Sequence, residues 1–204
     1  MQAPQRRQQA RSGLSDRAKL YILAGVAGGG LIALVVVVIF LFTQRDEVNA
    51  AKAKAAMEAI GCTFKRYPDQ GQKHTNNEKA KIKYNSFPPT SGTHYFEPAP
   101  WGIYPTDVPE IRAVHNLEHG GIVVNYGSKV PAATVDLLET FVDDDPRAML
   151  MFPIDKLGDK IAVSAWTYLA TCKTYDEDAY KTFRGAFRGK GPERFSLDDL
   201  QPGQ

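Results

Sequence analysis

Cysteine and histidine are scarce in this chain, with two of the first and four of the second among 204 residues. The cysteines, Cys62 and Cys172, do not form a CxxC, which removes the usual redox-active dithiol. There is no glycine-rich phosphate loop and no GxSxG elbow, so P-loop and α/β-hydrolase chemistry drop out. Ser91, in a Thr-Ser-Gly stretch, suits a turn better than a nucleophile. Net charge is low as well, at +2. In residues 1–19, five basic side chains (Arg6, Arg7, Arg11, Arg17 and Lys19) face Asp16 alone, so that tail carries +4 and the remainder −2. The remainder has no basic field, and nucleic acid is not an expected partner. No internal repeat is visible, and the only biased segment is the Gln- and Arg-rich tail, which is too polar to bury a core.

One feature is long. Leu20 to Phe42 is 23 residues without a charge. At about 1.5 Å per residue such a helix covers the roughly 30 Å hydrocarbon core of a bilayer. It exceeds the apolar stretch of a signal peptide, about 7–15 residues, and no small-x-small cleavage site closes it. The expectation is a single-pass transmembrane helix in the cell membrane, with the lipid bilayer as its partner. Basic residues precede the span, whereas Arg45 is followed at once by Asp46 and Glu47. The positive-inside rule then leaves the N-terminus cytoplasmic and everything after the span extracytoplasmic.

On that side the cysteines can pair, because the compartment is oxidising; two buried, unpaired thiols are the alternative. Residues 43–61 include the Ala-rich stretch Asp46 to Ile60 and are expected to form a helical stalk ended by Gly61. The folded domain is expected over 62–193, with 194–204 as a C-terminal tail.

Residues 62 to 110 are dense in proline and glycine and predict a long loop region, with Lys81 to Ser86 as its one short strand. Beyond it the periodicities predict a helix over Glu110–His119 stopping at Gly120-Gly121, and a strand over Ile122–Tyr126. A helix over Ala132–Val142 and strands over Met149–Ile154 and Ile161–Leu169 follow, then a helix over Asp176–Phe187. Strand–helix–strand implies a parallel crossover, and the following hairpin an antiparallel strand. The fold class is α+β: an N-terminal transmembrane helix, then a small mixed β-sheet domain with flanking helices and a long proline-rich loop region.

All four histidines, His74, His94, His115 and His119, fall within residues 74 to 119. His115 and His119 are spaced i, i+4, which puts two imidazoles on one helix face within reach of one ion. His94 follows the Pro88-Pro89-Thr90-Ser91-Gly92 turn, a rigid platform for a ligand. His74 lies in a polar loop. Imidazole suits zinc, copper, iron and nickel alike. Glu118 can add charge as a ligand or as an acceptor behind one. Met149 and Met151 would favour Cu(I) as thioether ligands, but their period-2 spacing suits core packing better. His115-Asn116-Leu117-Glu118-His119 also matches HxxEH, in which two histidines bind zinc and the glutamate activates water.

Three stretches carry a resemblance: YNSFPPTSGTHY (Tyr84 to Tyr95), PAPWGIY (Pro98 to Tyr104) and VHNLEHGGIVVNY (Val114 to Tyr126). With IAVSAWTYLATC (Ile161 to Cys172) and AFRGKGPE (Ala186 to Glu193), they resemble the bacterial family called domain of unknown function 3105 over roughly Gly61 to Glu193. The resemblance implies a bacterial source, an N-terminal membrane anchor and an uncharacterised function. It also implies histidines as a pattern at His94, His115 and His119, with one before the PPTSG turn where His74 stands, and cysteines at Cys62 and Cys172. The expected function is an extracytoplasmic module binding a transition metal, copper or zinc, rather than an enzyme. A metal-dependent hydrolase using Glu118 is one alternative. The other is a structural or assembly partner of a membrane complex, with Tyr95, Phe96 and Trp101 as its face.

Overall fold

A computed structural model describes residues 16–203. It divides into two compact units, 1–46 and 47–204. In the first unit, helix α1 (Asp16–Ala59) begins. The transmembrane span expected over Leu20–Phe42 falls largely on residues 20–31 and 33, whose side chains lie outside the described set. Among the described residues, no helix is long and apolar enough to cross a membrane. The basic tail, residues 1–15, also lies outside the described residues.

The second unit is an α+β domain built on a six-stranded mixed sheet of order β1-β8-β7-β5-β6-β4. Its strands are β1 (Thr63–Arg66), β4 (Gly102–Ile103), β5 (Ile122–Tyr126), β6 (Met149–Pro153), β7 (Ile161–Ala165) and β8 (Tyr168–Cys172). A separate two-stranded parallel ladder joins β2 (His74–Thr75) to β3 (His94–Tyr95). Helices α2 (Glu110–Glu118), α3 (Ala132–Asp144) and α4 (Glu177–Phe187) complete it.

The central strands read as nearly continuous apolar runs because both sheet faces are covered. Alternate residues part to opposite sides. Ile122, Val124, Met149, Met151, Ile161 and Val163 join α3, α4 and the C-terminal end of α1 through Leu138, Phe183 and Met57. Val123, Leu150, Phe152 and Ala162 join α2 and the proline-rich loop through Val114, Leu117 and Trp101. Met149 and Met151 are core residues, fully buried on the face away from α2. Trp101 is buried too, so of the three aromatics read as a binding face only Phe96 is substantially exposed.

β5 and β6 are parallel, as the α3 crossover requires. The strand after β6 departs from expectation. It pairs antiparallel with β5, Val124 opposite Val163, and β6 takes β4 on its other edge. The cause lies at Gly127 and Gly158. A Cβ at Gly127 would sit 2.2 Å from the Gly158 carbonyl, and Gly158 itself has φ +62°. This close approach carries the chain across the end of β5, where Gly127 N–H donates to Lys160 O at 2.9 Å.

The stretch read as one strand over Ile161–Leu169 is two, folded at Trp166-Thr167. No Asn-Gly or Asp-Gly marks that turn. Tertiary hydrogen bonds hold it instead, from Thr167 N–H to Thr90 O, Tyr67 N–H to Thr167 O, and Trp166 Nε1 to Asp69 Oδ2. Lys81 to Ser86 forms no strand. Cys62 and Cys172 are joined in a disulfide at the ends of α1 and β8. Residues 194–203 pack on the α2 side of the sheet, where Leu200 is buried and its carbonyl accepts from Ala148 N–H.

Candidate metal centre

Helix α2 supplies His115 and Glu118, and its C-cap residue is His119. It ends where the sequence places it: Gly120 takes φ +85°, and its N–H closes on Leu117 O. The i, i+4 spacing brings His115 Nε2 to 3.0 Å from His119 Nε2. Glu118, one turn along from His115, is buried with its carboxylate under the imidazoles.

The other two histidines arrive through the small ladder. β2 and β3 pair with His74 directly opposite His94. That register sets the two rings side by side, with Nε2 to Nε2 at 3.2 Å. Glu118 Oε2 lies 3.0 Å from His94 Nε2, 3.4 Å from His74 Nε2 and 3.9 Å from His115 Nε2.

Backbone carbonyls fix the tautomers. His94 Nδ1 is 2.7 Å from Gly92 O, and His115 Nδ1 is 2.8 Å from Tyr95 O. A carbonyl only accepts, so each Nδ1 carries the proton and donates it. In a neutral ring the Nε2 lone pair then points into the cluster. Burial lowers the pKa of His94 and His115, and takes that of His119 down to about 4, with the neighbouring His115 reinforcing it. The imidazoles of His94, His115 and His119 are thus held neutral, the form that binds metal. Burial raises the pKa of Glu118, and Glu193 adds to the rise.

Two groups of candidate ligand atoms, each mutually within 4.8 Å, result: His74, His94, His115 and Glu118, and His115, Glu118, His119 and Glu193. The sequence reading joined His74, His94, His115 and His119 in one set. The structure draws His119 toward Glu193, at 3.2 Å, and gives its place in the first group to Glu118.

Glu193 was not read from the sequence as a site residue. It is brought there by glycine. Gly189 N–H donates to Gly120 O at 2.8 Å, and Glu193 N–H to Glu118 O at 3.1 Å. Between them Gly191 lies so close to the helix end that a Cβ would meet Glu118 O at 2.1 Å. Gly191→Ala is therefore expected to cost about 1–3 kcal/mol by overpacking, read as a lower midpoint in denaturant unfolding. An unchanged midpoint would mean that this contact yields.

The donors suit a divalent ion of borderline softness. Two nitrogens bound at about 2.0–2.1 Å, at angles between square and tetrahedral, are roughly 2.9–3.4 Å apart. The two Nε2 pairs lie at 3.2 and 3.0 Å. Glu118 Oε1 is buried without a hydrogen-bond partner. Among the described residues neither thioether nor thiolate is at hand, since Met57, Met149 and Met151 pack on the far face and both cysteines are bonded to each other.

The family model described as "Protein of unknown function (DUF3105)" matches residues 74–198, more than half of the chain. The chain belongs to the DUF3105 family. No curated protein and no solved structure matches it. The DUF3105 match begins at His74 and takes in every residue of both ligand groups, while Cys62 and α1 precede it.

Proposed function

We propose that this DUF3105 domain is a metal-binding module that holds a divalent transition ion, zinc or copper, through His74, His94, His115 and Glu118. The observation that carries the reading is the convergence of four ligand atoms within 4.8 Å, with His94 and His115 locked by backbone carbonyls so that Nε2 faces inward. Isolated structural histidines have no need to meet in this way. With imidazole and carboxylate donors, zinc and Cu(II) fit better than Cu(I).

The module works on the extracytoplasmic side of a membrane, anchored by Leu20 to Phe42 with the N-terminus in the cytoplasm. The uncharged run and the basic residues before it support the anchor. So does the exposure of large apolar side chains from Leu34 to Phe42. The Cys62–Cys172 disulfide supports the compartment.

Metal analysis of the full chain, purified in detergent without a histidine tag, tests the reading. The protein is expected to retain at least one equivalent of zinc or copper, and His74→Ala/His94→Ala to lose at least one. Uptake of neither ion after reconstitution sinks it.

A further inference from the structure

We infer that the centre takes two divalent ions, not one, with Glu118 bridging them. This rests on the reading of His74, His94 and Glu118 as a metal site and goes beyond it. The polar side chains fall into two tight sets. In the first, His74 Nε2, His94 Nε2 and Glu118 Oε2 lie 3.0 to 3.4 Å from one another. In the second, His119 Nε2 lies 3.0 Å from His115 Nε2 and 3.2 Å from Glu193 Oε2.

His115 has one lone pair to give, because its Nδ1–H is spent on Tyr95 O. It stands 3.0 Å from His119 Nε2 but 3.9 Å from Glu118 Oε2. With both positions filled it goes to the second ion. One set of ligands is then His74, His94 and Glu118 Oε2; the other is His115, His119 and Glu193. A Glu118 carboxylate oxygen also lies within 4.8 Å of the ligand atoms of the second set, and Oε1, buried and without a hydrogen-bond partner, is the one left to close it. Each ion receives two imidazoles; Glu118 is shared between them and Glu193 serves the second alone, so the two carboxylates offset half of the charge of two dications. Carboxylate-bridged pairs of this kind sit about 3.5–4 Å apart.

The two positions differ in access through one ligand each. His74 is 40% exposed and Glu193 44%, while Glu118 is 1% exposed between them. Ions enter from the His74 side and from the Glu193 side, and the buried bridge is common to both. Glu193 reaches the site only because Gly189 and Gly191 dock its segment on the end of α2.

The test is a zinc titration of the metal-stripped full chain in detergent against a chromogenic chelator, run beside His119→Ala/Glu193→Gln. Glu193 lies at the accessible edge and His119 is 15% exposed, so a circular dichroism spectrum checks the fold. Two equivalents in the parent and one in the variant are expected. Cobalt(II) loaded into the parent is expected to show an exchange-coupled pair by electron paramagnetic resonance, and in the variant an isolated ion. One equivalent in both proteins overturns the second position and leaves the single-ion reading standing. Zero in the parent overturns both. Two equivalents in the folded variant, or none, also overturns it, since His119 and Glu193 would then hold neither ion or the first one.

Discussion

Loss of the Cys62–Cys172 disulfide is expected to destabilise the domain by about 4–5 kcal/mol, the chain-entropy value for closing a loop of this size. The bond spans a sequence separation of 110, most of the domain. Cys62 follows helix α1 and precedes edge strand β1; Cys172 ends β8, the strand on which β1 pairs. Without the bond, that edge rests on four ladder pairs, Thr63 to Arg66 opposite Tyr168 to Thr171. The buried ends of α1, Ala53 and Met57, depend on the same corner. At roughly 2–4 °C per kcal/mol for a domain of this size, Cys62→Ser/Cys172→Ser is expected to melt about 8–20 °C below the parent. A shift under about 2 °C would mean that packing alone holds the corner and that the bond is incidental.

Much of this fold is legible from local pattern. Helices α2, α3 and α4 follow the 3.6-residue period, and α4 begins where Asp176 accepts from Ala179 N–H as an N-cap. The β5–α3–β6 crossover follows from element order alone. What escapes a reading of the sequence is long-range. The turn at Trp166-Thr167 has no glycine or asparagine and exists because Thr90, Tyr67 and Asp69 bind it. β7 reaches β5 through the packing of Gly127 on Gly158, a contact with no local signature.

The centre divides in the same way. His115 and His119 are readable as a pair because one helix carries both. The side-by-side setting of His74 and His94 depends on a two-residue ladder too short to register as a strand pattern. Glu193 is placed by backbone docking far along the chain, with only the glycines of its motif as a sign. Glu118 was visible as a charge beside the histidines, but its burial beneath all three rings of the first group required the fold.

Glu118→Gln is expected to lower zinc affinity at both positions by more than about 100-fold, beyond the 10–100-fold typical of a residue standing behind a ligand. The substitution keeps shape and removes charge. In HxxEH hydrolase chemistry the glutamate activates water while the histidines hold the ion, so the same change there would spare the metal and abolish turnover. Here the carboxylate lies among three imidazoles at 3.0 to 3.9 Å, in a ligand's place. Stability separates the two roles further. In the metal-stripped protein a buried carboxylate is costly, so the glutamine variant is expected to melt at or above the parent. With zinc at about 1,000 times the parent's Kd, linkage adds roughly 4 kcal/mol to the parent, and the variant gains far less. Thermal melts with zinc and with chelator, read side by side, are expected to cross in that order. A glutamine variant that keeps its zinc and its zinc-dependent stabilisation would return Glu118 to the role of a base and reopen the hydrolase reading.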